Sequence, residues 1–175
     1  MTSRRHNHSK TYFKEEQRFR QPWLIIFLIL VSILLWIGII ERIFFGYKFG
    51  NKPAPDWIII LIWLAFGIGL PVFFFSIKLI TEVRYDGIYL RFFPIHRKFK
   101  VYPYDEIEKY EVRTYRPIYE YGGWGIRYGF KGRAYNVYGN KGIQLIFKNK
   151  KKLLIGSQKA EEFYNAIRKA SGSRN

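Results

Sequence analysis

Two long runs of apolar residues dominate the first half of the chain. They cover residues 23–40 and 57–77, and neither contains an ionisable side chain. As helices they would be roughly 27 and 31 Å long, which matches a bilayer hydrocarbon core of about 30 Å. Trp23 and Trp57 stand at the start of each run, where an amphipathic indole favours the membrane–water interface. The pattern predicts transmembrane helices at 23–40 and 57–77.

The connection between the two runs, residues 41–56, is too short for anything but an antiparallel hairpin. It also contains four turn-forming residues: Gly46, Gly50, Pro53 and Pro55. Transport pathways usually need polar groups within the membrane, and these runs have no ionisable residue. We therefore expect the hairpin to be an anchor.

Residues 1–22 form a basic segment ahead of the first run. The first ten residues are polar and lack periodicity, which predicts a disordered tail. Tyr12, Phe19 and Trp23 then recur at spacings of seven and four, which favours a short helix lying in the headgroup region. An ordinary basic flank with interfacial aromatic residues fits the same spacing.

Beyond residue 77 the periodicity of apolar positions changes to two, which is typical of β-strands. Alternation over 78–85 and over 88–92 is separated by Asp86-Gly87, a strong hairpin signal. Further strands are expected around residues 99–101, 107–115, 125–130, 134–138, 143–147 and 152–155.

The end of the chain changes to a helical pattern. One apolar stripe recurs at i, i+3, i+4 and i+7, formed by Phe163, Ala166, Ile167 and Ala170. Short antiparallel strands covered by one amphipathic helix indicate a small barrel or sandwich. The expected fold is therefore a membrane α-helical hairpin followed by an all-β domain of about seven strands with a C-terminal helix, at residues 78–175.

The charge of the chain is strongly positive and unevenly distributed. The formal net charge is +17; it is +4 for residues 1–22, +1 for 41–56 and +12 for 78–175. Cytoplasmic flanks of membrane helices are enriched in Lys and Arg. The weakly charged connection should therefore be external, with both termini cytoplasmic and the chain in the cell (inner) membrane. This topology signal also makes nucleic-acid binding less favoured as the reason for the basic excess.

No arrangement of residues predicts catalysis, a metal or a cofactor. The chain has no cysteine, so thiolate nucleophiles and thiolate metal sites are excluded. His6 and His8 lie in the polar tail, where we expect them to be solvated. An enzyme would become credible only if Glu108 or Glu120 converged with His96 in one pocket. We expect a protein that is not an enzyme.

Four local motifs carry a resemblance to a known kind of protein. They are residues 121–127, 134–137, 139–142 and 154–158. With the two apolar runs, they resemble a small uncharacterised family of prokaryotic membrane proteins that carry a pleckstrin-homology-like domain. The resemblance implies a fold of about seven strands and a final helix, and no catalytic residues. Such folds bind phosphoinositides, peptides or proteins in different cases, so the resemblance does not choose a ligand.

Two basic groups at predicted strand ends are candidates for binding anionic lipids. The members are Arg97, Lys98, Lys100, Lys148, Lys150, Lys151 and Lys152. Lysines gathered at one rim of a barrel could contact lipid phosphates. Lysines are also common in exposed turns, where they keep strand edges soluble.

A glycine-rich segment, residues 119–132, is the second candidate. Its proposed partner surface consists of Gly122, Gly123, Trp124 and Arg127. Glycines permit positive φ angles, and an Arg beside exposed aromatic rings can form a contact surface. The alternative is a bulged hairpin whose Trp124 packs into the core. The segment lacks the spacing of phosphate-binding or dinucleotide-binding loops.

These observations favour a non-enzymatic, membrane-anchored binding or scaffold protein. Its partners would be the lipid bilayer, anionic lipid headgroups, or another membrane protein. The alternatives are an adaptor for a protein partner without lipid binding, and a membrane-tethered nucleic-acid-binding domain. Stacking of bases would require several exposed aromatic rings beside the lysines. The sequence does not predict the oligomeric state.

Overall fold

The chain forms two structural units, which a computed structural model describes over residues 10–46, 54–129 and 131–173. One unit comprises residues 20–76. The other combines the segment before residue 20 with residues 77 onwards. The first unit is helical and the second consists mainly of β-strands, as the periodicities predict.

The helical unit contains two helices that are long and apolar enough to cross a membrane. Helix α1 is Pro22–Phe45. The second helix consists of α2 (Asp56–Ile62), a π-helical stretch (Trp63–Gly69) and α3 (Leu70–Ser76). The two expected apolar helices are therefore confirmed. A proline at position 71 cannot donate a backbone hydrogen bond, and the wider π turn immediately before it accommodates that loss.

The two helices contact each other through a small residue and a pair of indoles. Trp36 and Trp63 pack edge to face with their centroids 4.8 Å apart. A Cβ atom at Gly67 would lie 3.0 Å from Trp63 Cδ1, so glycine permits this close packing. Near the loop, Arg42 Nη2 lies 2.6 Å from Asp56 Oδ1. Most of the large apolar side chains on both helices remain exposed.

The β domain contains nine strands in the described residues, two more than the approximate number expected. In chain order these are β1 (Thr11–Arg18), β2 (Lys78–Arg84), β3 (Gly87–Phe93), β4 (Lys100–Pro103), β5 (Ile107–Thr114), β6 (Gly125–Gly129), β7 (Gly132–Asn136), β8 (Lys141–Phe147) and β9 (Lys152–Gly156). They form a four-stranded sheet, β1-β2-β3-β4, and a five-stranded sheet, β5-β8-β9-β7-β6. Only β7 and β9 pair in parallel among these strands.

Two short helices complete the domain. Helix α4 (Pro117–Tyr121) connects β5 to β6. Helix α5 (Ala160–Gly172) packs against strands of both sheets and buries the predicted apolar stripe. Phe163 and Ile167 on this helix are fully buried. The short strands and the C-terminal helix are thus present as the sequence predicts.

The structure of the segment before the first membrane-length helix differs from the one predicted from the sequence. Residues Thr11–Arg18 form neither a tail nor a headgroup-region helix; they form the edge strand β1, paired with β2. The inward positions are Phe13, Glu15 and Gln17, which alternate with exposed side chains. Because two of these three buried residues are polar, the strand has no hydrophobic alternation in its sequence. The predicted tail from residue 1 to 9 lies outside the described residues.

Buried polar groups bind strand β1 to the end of β9 and to the segment that precedes α5. Ser157 Oγ donates a hydrogen bond to Glu15 Oε2 at 2.6 Å, and the Gln158 backbone N–H donates to Oε1 at 2.9 Å. Gln17 Nε2 donates to the Gly156 carbonyl at 2.7 Å. Burial raises the pKa of Glu15 even though these hydrogen bonds favour its ionised form. The residues on either side of the helical hairpin therefore build one domain.

Candidate functional site

A basic cleft of about 760 Å³ opens at one end of the β domain. The turn between β8 and β9 forms one wall, and the turn between β6 and β7 forms another. The end of β4 and the residues after it contribute Tyr102 and Glu106. Three separate parts of the chain thus converge on one cavity large enough for a small ligand.

The β8–β9 turn has a defined geometry that places its lysines beside the cleft. Lys150 adopts a positive φ of 64°, and its N–H donates to the Phe147 carbonyl at 2.8 Å. The Lys151 N–H donates to Asn149 Oδ1 at 3.0 Å. The Lys148 N–H donates to the Glu106 carbonyl at 2.9 Å, which joins this turn to the segment after β4.

The β6–β7 turn can approach the start of β9 closely because the first residue of β7 is a glycine, Gly132. Gly132 has a φ of 104°, a region that favours glycine. A Cβ atom at this position would collide with the Lys152 carbonyl oxygen. The side chains of Lys131 and Arg133 flank Gly132 and line the same cleft.

The cleft carries more positive than negative charge. Its cations are Lys131, Arg133, Lys150, Lys151 and Lys152, and its one lining carboxylate is Glu106. Two of the lysines are paired with carboxylates outside the lining: Lys150 Nζ lies 2.7 Å from Glu108 Oε1, and Lys131 Nζ lies 3.2 Å from Glu120 Oε2.

The other three cations of the cleft are not neutralised in this way. Within residues 10–46, 54–129 and 131–173, Arg133, Lys151 and Lys152 have no carboxylate oxygen within 4 Å. Lys152 acts at longer range on the Glu111 carboxylate, so an anionic ligand would meet unpaired charge mainly from Arg133 and Lys151.

Arg133 is held in place by two tyrosine rings. Its guanidinium carbon lies 4.9 Å from the ring centroid of Tyr128 and 4.9 Å from that of Tyr135. The Arg133 Nε atom is buried and has no hydrogen-bond acceptor among the residues that the structure describes. Cation–π contact orients a guanidinium without using its N–H donors, so they stay available for an anion.

A second cation reaches Tyr135 beneath the cleft. Tyr135 is fully buried, and Lys100 Nζ donates to its hydroxyl group at 3.0 Å. Burial, followed by the positive charges of Lys100 and Arg133, lowers the pKa of His96. Burial and the neighbouring Tyr135 raise the pKa of Tyr102, which keeps that hydroxyl protonated.

Of the seven basic residues predicted from the sequence, three line the cleft and four do not. Lys150, Lys151 and Lys152 line the cleft, and Lys148 lies exposed at the edge of the same turn. Lys100 contacts the residue below the cleft, whereas Arg97 and Lys98 are exposed and do not line it. Lys131 and Arg133 also line the cleft, and the sequence pattern did not predict them as site residues. Their signal was a basic pair around a glycine at a strand end.

The glycine-rich segment serves mainly to shape the chain. Gly122 ends α4 with a φ of 69°, and Gly123 follows with a φ of 120°. Trp124 is half-buried, and its indole N–H donates to the Gly139 carbonyl at 3.0 Å. Arg127 is exposed, although its Nε donates to the Trp124 carbonyl at 2.9 Å. Trp124 thus has a structural contact, and Gly122 and Arg127 are the exposed members of the predicted partner surface.

The acidic candidates do not meet His96 in a common cavity of the described residues. Glu108 pairs with Lys150, and Glu120 pairs with Arg113 and Lys131. His96 lies against the Tyr135 ring instead, with centroids 5.7 Å apart. Among the described residues no three His, Asp or Glu side chains gather as metal ligands; His6 and His8 lie outside them.

The defining features of this protein are two membrane-length apolar helices and a two-sheet β domain with a basic cleft. The chain belongs to the family of unknown function DUF6141, whose model matches residues 5–174. The expectation of an uncharacterised family is thereby confirmed. The chain matches no curated protein and no solved structure.

Proposed function

We propose that this protein is a non-enzymatic, membrane-anchored binding protein whose β domain contacts anionic lipid headgroups. The two apolar helices span the cell membrane as a hairpin and hold the domain at the cytoplasmic surface. The domain is of the pleckstrin-homology-like kind, which its two sheets and C-terminal helix support. The unbalanced charge of the basic cleft carries this proposal.

Lipid headgroups suit the cleft for physical reasons. A domain tethered to the bilayer meets headgroups at high effective concentration, so a weak intrinsic affinity is sufficient. The cytoplasmic leaflet carries anionic lipids, and its surface potential attracts Lys and Arg within about 10 Å. A cavity of about 760 Å³ also admits a headgroup, which a flat lysine-rich surface would only touch.

The position of β1 supports a hairpin with both ends on one side of the membrane. Strand β1 ends at Arg18, and β2 begins at Lys78; these two residues are paired neighbours. A chain that leaves the sheet at Arg18 must return to the same place at Lys78, which two crossings allow and one does not. The charge distribution then favours the cytoplasm for that side.

Single introduced cysteines test this topology because the chain has none of its own. We expect an impermeant thiol reagent to label Gly50→Cys in intact cells and to leave Ser173→Cys unlabelled until the cells are lysed. Labelling of Ser173→Cys in intact cells would refute the cytoplasmic location.

The lipid proposal is tested with the full chain in lipid nanodiscs. Asp105→Cys carries an environment-sensitive dye in every variant, because Asp105 is exposed, lies next to the cleft residue Glu106 and does not itself line the cleft. We expect a larger spectral shift in discs that contain phosphatidylglycerol than in phosphatidylcholine discs, and a loss of the difference as salt rises.

Charge variants locate the contact. Lys151→Gln combined with Lys152→Gln should abolish the difference between the two kinds of disc. Lys141→Gln combined with Lys169→Gln removes the same charge from exposed positions away from the cleft and should leave the difference intact. Equal effects of the two pairs, or no response to the anionic lipid, would contradict lipid binding at the cleft. The second result would favour a protein partner.

Nucleic-acid binding is less favoured, because few aromatic rings of the cleft are exposed enough to stack on bases. Tyr128 is 72% exposed, but Tyr102 is half-buried and Phe147 is buried. Of the aromatic rings that line the cleft in the described chain, only Tyr128 is therefore placed to stack on a base. A gel-shift measurement with the full chain in detergent should show no retardation of single-stranded DNA or RNA at micromolar protein and physiological salt.

A further inference from the structure

We propose that the cleft contains a subsite for a phosphate monoester, with Arg133 as the residue that contacts it. This inference rests on the proposed function and makes it narrower: the preferred headgroup ends in a free phosphate. The common headgroup phosphates are diesters, which carry one negative charge and two esterified oxygens. A monoester offers three terminal oxygens and a charge between about −1.5 and −2.

The first support is an excess of hydrogen-bond donors. Arg133 and Lys100 can only donate, and both lie against the ring of Tyr135. Within the described residues, neither has a carboxylate within 4 Å. The Nε atom of Arg133 is buried, so a phosphate in the cleft would be met by the terminal N–H groups of the guanidinium.

The second support is the orientation of Arg133. Its guanidinium lies near two aromatic rings, each with a centroid 4.9 Å away, so few conformations remain to be lost on binding. A fixed planar guanidinium matches two phosphate oxygens at once, which a flexible ammonium group cannot do. The lysines of the β8–β9 turn are exposed and adaptable by comparison.

The third support is the charge that the cleft leaves unpaired. Arg133, Lys151 and Lys152 are opposed within the lining by Glu106 alone. Lys131 and Lys150 already have carboxylate partners. The lining therefore keeps a net positive charge, which suits a monoester near its dianionic state better than a singly charged diester.

The experiment compares two anionic lipids in the same nanodisc assay with the dye at Asp105→Cys. Phosphatidic acid presents a phosphate monoester, and phosphatidylglycerol presents a diester; the two are mixed into phosphatidylcholine discs at equal total charge. We expect phosphatidic acid to saturate the response at a several-fold lower lipid fraction. Glycerol 3-phosphate added to pure phosphatidylcholine discs shows whether a soluble monoester also enters the cleft.

Arg133→Gln and Arg127→Gln form a matched pair of variants. Arg127 is exposed and lies outside the cleft lining, so its change controls for the loss of one positive charge. Arg133→Gln should weaken the response to phosphatidic acid, and to glycerol 3-phosphate where it binds, by about tenfold or more. Its response to phosphatidylglycerol should weaken by a smaller factor, because a singly charged diester loses less from the removal of one cleft cation. Arg133→Lys keeps the charge without the planar fork and should recover only part of the preference.

Thermal unfolding of each variant by circular dichroism identifies any that fail to fold. Equal responses to the two lipids, or equal effects of Arg133→Gln and Arg127→Gln, would refute the monoester subsite and leave the lipid proposal standing. Absence of a response to either lipid would refute both. A response to glycerol 3-phosphate but not to phosphatidic acid would keep the subsite and make its ligand a soluble compound.

Discussion

Phe13→Ala tests whether strand β1 is an integral part of the β domain. Phe13 is 8% exposed and stacks on the fully buried Phe163 of α5, with centroids 5.1 Å apart and the rings within 3° of parallel. If the N-terminal segment were a tail or a helix at the lipid surface, truncating Phe13 would barely change the stability of the domain.

The expected cost follows from burial. Replacing a buried Phe by Ala typically lowers the free energy of unfolding by 3–5 kcal/mol, through lost transfer energy and the cavity that remains. Strand β1 lies at the edge of its sheet, where neighbours relax more easily, so we expect about 3 kcal/mol. Since about 1.4 kcal/mol is a factor of ten, the unfolded population should rise more than a hundredfold.

The assay follows one buried thiol in the full chain in detergent micelles. Ala170→Cys places the only thiol of the chain on the buried face of α5, and it should react with a thiol reagent only when the domain unfolds in urea. Tyr119→Ala is the control, because Tyr119 is 85% exposed and its loss should change stability by less than about 0.5 kcal/mol. A loss below about 1 kcal/mol for Phe13→Ala would refute the integral role of β1.

Three further predictions use the same assay. First, burial raises the pKa of Glu15 above its usual 4.5, so the folded state binds this proton more tightly than the unfolded state does. The stability that the proton contributes is lost as pH rises above about 4.5. Wild type should therefore lose stability relative to Glu15→Gln between about pH 4.5 and 7. Second, Gly142→Ala should cost about 2 kcal/mol, because the new Cβ would collide with the Ile155 carbonyl, whereas Gly172→Ala meets no atom within 4 Å and should be nearly neutral. Third, replacing residues 19–77 by Asn-Gly should give a soluble domain that protects the thiol, and a fragment starting at residue 77 should leave it reactive without urea.

The sequence predicts the regular parts of this fold because their patterns are local. Apolar runs of membrane length, the Asp86-Gly87 turn and the stripe on α5 are all readable within a few residues, and the structure has helices or strands at those places. Strand β1 was missed because its inward positions include Glu15 and Gln17. Their partners are Ser157, Gln158 and Gly156, 139 to 143 residues away, and no local pattern reports such contacts.

The basic cleft was predictable only in part for the same reason. A lysine-rich turn is visible in the sequence, and Lys150, Lys151 and Lys152 do line the cleft. The role of Arg133 depends on the parallel pairing of β7 with β9, which brings two distant turns together. Among the predicted lysines, the pairing of Lys150 with Glu108 likewise follows from the fold. Which charges remain unbalanced is thus a property of the fold.

The pairing of Arg18 with Lys78 gives a physical reason for the position of the helical hairpin in the chain. Neighbouring residues on antiparallel strands have Cα atoms about 5 Å apart, and packed helices have axes about 8–10 Å apart. The ends of β1 and β2 can therefore pass into two adjacent antiparallel helices with only a few connecting residues, 19–21 and 77. In chain order, the apolar hairpin takes the position that a two-residue turn would occupy between these strands. Under the proposed function, the location of unbalanced charge in one cleft, more than the net charge of the domain, should govern which headgroups the domain binds.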